Sequence, residues 1–240
     1  MELEGRIAVI THGLNERGIA LATGLLKCGA RVILSDRNER RLVSKAEEIG
    51  AVPVPASISN SAEIKCFIDR ITKRFGRIDL FAVNTSFSKN VIAEKHDSLR
   101  LHADVMSQMY VAKYVLPQMI RRGSGYLINT VPFTGLLNEC RSEMYSTLKH
   151  PALSFAERIA AAYGSAGIKI SVLCVDNEMT FNNNCFSSGE YDPVVLQDQA
   201  ALILKGILHE QFMIFLQSKK NEIPCQEELA RYELYKHIHA

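Results

Sequence analysis

Tyr145 and Lys149 stand four residues apart in a segment whose apolar spacing predicts a helix over Ser142–Tyr163. Residues at i and i+4 share one helix face, so the ammonium can lie beside the phenol. A cation at that distance favours the phenolate and brings the tyrosine toward a working acid–base range. The bland alternative is a solvated helix face, because this pair at this spacing occurs on many helices. A second candidate lies near the N-terminus. Thr11-His12-Gly13-Leu14-Asn15-Glu16-Arg17-Gly18 joins an apolar run to an amphipathic one, and the start of a helix after such a turn receives anions.

The elements that must position these residues alternate along the chain. Short β-branched runs read as strands at Arg6–Thr11, Arg31–Ser35, Val52–Pro55, Asp79–Asn84, Tyr126–Thr130, Lys169–Cys174 and Phe212–Leu216. They are apolar throughout, as strands buried on both faces are. Amphipathic stretches read as helices at Arg17–Cys28, Glu39–Ile49, Ser61–Phe75, Leu99–Arg122, Ser142–Tyr163 and Pro193–Leu208, with a last one near Gln226–His237. This alternation predicts an α/β doubly wound, Rossmann-type parallel sheet of about seven strands, helices on both faces, in one domain over residues 1–240. The polar stretch Asp176–Asp192 is expected to form a loop or lid over the carboxyl ends of the strands.

Composition narrows the partners. A net charge of +2 argues against nucleic acid, and no apolar run is long enough to span a bilayer. The six cysteines, at 28, 66, 140, 174, 185 and 225, form no C-x-x-C and lie mostly in apolar segments. They read as reduced thiols of a cytoplasmic protein, with no zinc site or disulfide framework.

Within this frame the chain resembles the short-chain dehydrogenase/reductase family from about Gly5 to Thr180. The resemblance rests on Tyr145-Ser-Thr-Leu-Lys149 and on the first β-α-β unit, Gly5 to Asp36, which ends in GARVILSD. RFGRIDL at 74–80, LPQMIRRGSG at 116–125 and the strand ending in Asn129 support it. The resemblance implies that Tyr145 exchanges a proton with a substrate oxygen while a nicotinamide exchanges hydride, and that Lys149 tunes the phenol. The family's water-positioning Asn falls on Asp104, which retains the ability to accept from a water or pair with Lys149. Thr11, Gly13, Gly18, Asp36, Asn84 and Thr180 fall on cofactor-binding positions. Asp36 at the end of the second strand implies NAD(H) over NADP, because a carboxylate repels a 2′-phosphate. Arg37 beside it weakens that preference.

The departures gather at one site. Pro132 replaces the family's Ser, thirteen residues before Tyr145, and offers neither hydroxyl nor N–H. His12 and Glu16 replace the first two glycines of the T-G-x-x-x-G-x-G turn. The first glycine serves the tight turn and the second lets the backbone approach the pyrophosphate. Glu16 also places a carboxylate where the anion should sit, worth about 1 kcal/mol of repulsion in water at ~4 Å and about 4 at an effective dielectric of 20. Arg17 offsets part of this. Ser57 takes the adenine-side Asp position, and Ser86 stands at a glycine position after the fourth strand. An alternative register, in which GLNERGIA matches the longer loop of enoyl-reductase relatives with one residue deleted, restores binding but conflicts with the Tyr–Lys spacing.

Three functions fit this pattern. The first is a catalytically impaired family member acting as a binding or assembly subunit, with weakened NAD(H) binding. The second is an NAD(H)-dependent alcohol–carbonyl oxidoreductase acting through Tyr145 and Lys149. The third is a non-redox enzyme of the same fold using Tyr145, as in halohydrin dehalogenases. A small-molecule ligand and a homodimer or homotetramer are expected in each. The pairing helices are 99–122 and 142–163, the second kept smooth by Ala152, Ala156, Ala160 and Ala161.

Overall fold

The computed structural model describes residues 2–84, 97–132, 143–175 and 193–216, with the backbone course alone at 97–104, 132, 143–150 and 193. Seven parallel strands run in the order β3-β2-β1-β4-β5-β6-β7. They are β1 Ile7–Ile10, β2 Arg31–Leu34, β3 Val52–Pro53, β4 Leu80–Val83, β5 Gly125–Pro132, β6 Ile168–Val175 and β7 Met213–Leu216. The helices are α1 Glu16–Lys27, α2 Glu39–Ile49, α3 Ser61–Phe75, α4 Asp97–Arg122, α5 Glu143–Tyr163 and α6 Pro193–Leu208. This is the doubly wound α/β fold expected from the sequence.

The strands are apolar on both faces because each face is buried under helices. Ile7 and Val9 join the core beneath α3, α4 and α5, whereas Ala8 and Ile10 join the core beneath α1, α2 and α6. The period of two along each strand therefore distributes side chains between two separate cores.

The ends of the elements carry chemical signals. Asn15, Asn38 and Asn60 cap α1, α2 and α3 by accepting from backbone N–H groups in each first turn. Gly50 ends α2 in the left-handed region, at φ 81°. The expected strand Tyr126–Thr130 is longer in the structure and runs to Pro132, which pairs with Val175. β5 stops at Pro132, which has no N–H with which to continue the ladder. Conversely, the expected strand at Val52–Pro55 shrinks to two residues at the sheet edge. The expected lid at 176–192 and the helix near 226–237 lie outside the described residues. Among the described residues, no helix is long and apolar enough to cross a membrane.

Strand order reverses beside β1, which has β2 on one side and β4 on the other. In an open parallel sheet, the crevice outside the carboxyl ends of the strands at such a point is where ligands bind.

Candidate functional site

The turn between β1 and α1 is built by two glycines in contact. A Cβ on Gly18 would lie 2.8 Å from both Cα and O of Gly13, and one on Gly13 would lie 2.4 Å from Leu34 Cδ1. Only glycine permits this approach of helix to turn. The Gly13 N–H donates to the Ser35 carbonyl at 2.8 Å, tying the turn to the end of β2. Asp36 extends that tie. Its Oδ2 accepts from the Leu14 N–H at 3.3 Å, and its Oδ1 accepts from the Arg37 and Asn38 N–H groups at 2.7 and 3.3 Å. Asp36 is thus fixed at the end of β2 by backbone N–H groups of the β1–α1 turn and of its own segment.

Thr11 is buried and braces the crevice. Its hydroxyl lies 3.3 Å from the carbonyls of Ala82 and Asn84 and accepts from the Asn84 N–H at 3.2 Å. Asn84 in turn donates Nδ2 to the His12 carbonyl at 3.1 Å and to Asn15 Oδ1 at 2.7 Å. The same Asn15 oxygen accepts from the Gly18 N–H at 2.8 Å. Thr11, Asn84, Asn15 and Gly18 are therefore one buried network across β1, β4 and α1. Asn15 was not among the residues picked out from the sequence. Its signal was its place three residues before Gly18, at the start of a helix, where Asn is favoured.

His12 occupies its glycine position in the conformation glycine would use, at φ 46°. Left-handed backbone at a non-glycine residue costs about 1–2 kcal/mol. His12 Nδ1 sits 2.9 Å from the Asn84 carbonyl, and because a carbonyl only accepts, Nδ1 carries the proton. Burial lowers the His12 pKa below the ordinary histidine value. Asp36 and the bond to Asn84 oppose this, and Arg37 adds to it.

At the start of α1, Glu16, which replaces a family glycine, and its neighbour Arg17 are held differently. The Glu16 carboxylate accepts from Gln199 Nε2 of α6 at 3.0 Å, so it is held against the neighbouring helix. Arg17 is buried, and burial lowers its guanidinium to about 10 against the attraction of Glu16. It stays protonated at neutral pH, a cation beside an anion-receiving turn.

The backbone positions of the chemical residues are those the spacing requires. Tyr145 and Lys149 lie one turn apart in α5, and Asp104 lies in α4, the helix packed beside it. Pro132 ends β5. Thr130 shares Pro132's face of the strand but sits two residues deeper, about 6.6 Å lower. It is buried and does not substitute for a hydroxyl at position 132. Gln108, one turn after Asp104, is buried and donates Nε2 to the Thr130 carbonyl at 3.2 Å, joining α4 to β5. Thr180 and Ser86 lie outside the described residues.

Comparison with known proteins agrees with this arrangement. The family model described as short chain dehydrogenase matches residues 6–185. A 3beta-hydroxysteroid dehydrogenase of Eggerthella lenta is 26% identical over 189 residues, covering 74% of this chain and 73% of that protein. An uncharacterised oxidoreductase of Staphylococcus haemolyticus is 25% identical over 219 residues, covering 87% and 94%. Among solved structures, a short chain dehydrogenase/reductase from Burkholderia phymatum in complex with NAD superposes with a TM-score of 0.75 at 20% identity, over 99% of this chain and 95% of that one. A short-chain dehydrogenase from Streptomyces avermitilis gives 0.72 at 17%, over 98% and 94%. With its sheet order, its glycine-built turn and its family-model match over residues 6–185, the chain belongs to the short-chain dehydrogenase family.

Proposed function

We propose that the chain is an NAD(H)-binding, catalytically impaired oxidoreductase, holding the dinucleotide in the crevice at the carboxyl ends of β1 and β4. The observation that carries this reading is the close contact of Gly13 and Gly18, which packs the start of α1 against the β1–α1 turn as a dinucleotide-binding turn requires. Two further features fit a dinucleotide. Asp36 stands at the end of β2 for a ribose, and Arg17 supplies a buried positive charge near the diphosphate. The hold of Gln199 on Glu16 favours the same reading. His12 at the first glycine position opposes it and weakens binding. When bound, the nicotinamide supplies or takes hydride at a substrate carbon. On the protein side, Tyr145 exchanges a proton with the substrate oxygen, Lys149 favours the phenolate, and Asp104 sets the charge near Lys149. No hydroxyl stands in frame at position 132 to share the developing charge. A cytoplasmic setting suits reduced thiols at Cys28 and Cys66.

Titration of purified protein with NADH and NADPH, followed by fluorescence, tests the reading. Saturable NADH binding weaker than about 10 µM is expected, with NADPH weaker by about tenfold, or about 1.4 kcal/mol. Saturation by neither nucleotide, or tighter binding of NADPH, would reject it.

A second reading is favoured by Pro132. The chain would bind ligand or partner chains without turnover, because an impaired oxygen site does not prevent assembly. In either case we propose a homo-oligomer formed through α4 and α5. Ala152 and Ala156 are buried in the chain's own core, so the outer face of α5 is Ser154, Arg158 and Ala161. Sedimentation velocity at micromolar concentration should give a dimer or larger species, and a strict monomer would remove this proposal.

A further inference from the structure

Three polar groups lie together at the β1–α1 turn. His12 Nδ1 is committed to the Asn84 carbonyl at 2.9 Å, which fixes the ring and leaves Nε2 as its variable nitrogen. Among the described residues, Asn15 Nδ2 and Asn84 Oδ1 are buried without a hydrogen-bond partner, in side chains 5% and 3% exposed. Buried polar atoms are almost always satisfied, so an unmet donor in a ligand crevice points to a ligand atom. Asn15 is the N-cap of α1, so its unmet N–H lies at the end of the helix that attracts anions.

We propose that His12 takes up a proton when a dinucleotide diphosphate binds the β1–α1 turn, making it a pH-linked diphosphate ligand. This rests on the NAD(H) reading above. In the free protein the imidazole is neutral, and Nε2 carries a lone pair. A lone pair facing a phosphate oxygen repels it. Once protonated, Nε2 becomes a donor and the ring a cation, so the same residue attracts the anion. A diphosphate brings negative charge close to a buried site of low dielectric, where its effect on protonation is large.

The charged surroundings set the direction. Asp36 at the end of β2 attracts the proton, and Arg37 beside it repels it. Glu16 and Arg17 lie at the start of α1, one held by Gln199 and the other buried. Asn84 on the β4 side is uncharged and contributes its carbonyl. Because burial holds the free-protein value below that of an ordinary histidine, His12 is neutral near pH 7. A bound diphosphate raises it. Between those two values one proton enters with the ligand, so binding tightens as pH falls through that window. Below both values the dependence ends.

Isothermal titration with NADH tests this in two non-phosphate buffers of different ionisation enthalpy, at about pH 6.5 and about pH 8. The wild type should take up a fraction of a proton approaching one at the lower pH. Its Kd should fall toward the lower pH with a slope approaching tenfold per pH unit, the limit for one linked proton. His12→Asn tolerates the left-handed backbone and cannot titrate. It should bind with no proton uptake. His12→Gly should bind without pH dependence and more tightly than the wild type at the higher pH. Wild-type binding with no uptake would overturn the inference and leave the NAD(H) reading standing. So would uptake that persists in His12→Asn. A wild type silent at both pH values beside a His12→Gly that binds would make His12 an obstruction only, which also overturns the inference. Silence of the wild type and of His12→Gly would overturn both.

Discussion

Tyr145→Phe is expected to lower any NAD(H)-linked turnover by about 10²–10⁴-fold, the usual contribution of a positioned acid–base group. The loss should be large because the chain keeps no second acid in frame. Pro132 ends β5 with neither hydroxyl nor N–H, and Thr130 is buried two residues deeper on the same strand. The measurement is turnover on a panel of ketones and secondary alcohols with NADH or NAD. NADH affinity should be nearly unchanged, since the phenol acts on the substrate oxygen. Pro132→Ser should move the rate the other way. A donor aimed at developing oxygen charge is worth ~3–4 kcal/mol in evolved sites, and a restored hydroxyl in an untuned site should give less. The gain should show most clearly in the His12→Gly background, where the cofactor is held better. Turnover that survives Tyr145→Phe would overturn the mechanism. Silence of the restored variant on every substrate would favour the binding-subunit reading instead.

The fold was legible because the chain's local signals agree with one another. Apolar β-branched runs, Asn caps and a periodicity switching between two and 3.6 all point to the same alternating order, and most element ends fall within two residues of expectation. The misses are where tertiary contact outweighs local pattern. The strand expected at Tyr126–Thr130 runs two residues further, because pairing with Val175 carries β5 through to Pro132. Alanine spacing on α5 suggests a smooth outer surface, but two of those alanines face inward. At the candidate site, residue identity told which positions had changed and not what the changes do. Glu16 reads as a repelling carboxylate until Gln199, far away in sequence, is seen to hold it. His12 reads as an obstruction until its ring is seen hydrogen-bonded to a carbonyl at the end of β4. Such partners come from other elements, and spacing along the chain carries no information about them.

The second large effect concerns the amino-terminal end of the central strands, opposite the crevice, where RFGRIDL supplies a buried carboxylate. Asp79 is 3% exposed, and its Oδ2 accepts from the Ile7 N–H and from Arg77 Nε, each at 2.9 Å. Its Oδ1 lies 3.6 Å from Arg6 Nη1 and from Arg122 Nη2. Arg122 also donates to the carbonyls of Ile78 and Ser124, at 2.7 and 3.1 Å. One carboxylate thus joins the starts of β1 and β4 to the link between α4 and β5. Burial lowers the Arg122 pKa while Asp79 raises it, and Arg77 and Arg6 add to the lowering, so the three guanidinium groups repel one another through the same space. Removing the carboxylate would leave that repulsion uncompensated and strand the Ile7 N–H. Breaking a buried pair costs about 3–5 kcal/mol. The arginines are a quarter to a half exposed, which lets water screen part of the loss. Asp79→Ala should therefore destabilise the fold by about 3 kcal/mol, lowering Tm by roughly 6–12 °C for a chain of this size. Asp79→Asn keeps an acceptor for Ile7 and loses only the charge, so about half that effect is expected. Urea unfolding at neutral pH reads both. A change of less than about 1 kcal/mol in Asp79→Ala would mean that the arginines pair elsewhere. Equal losses in the two variants would mean that the charge contributes most of the stability and the Ile7 bond little.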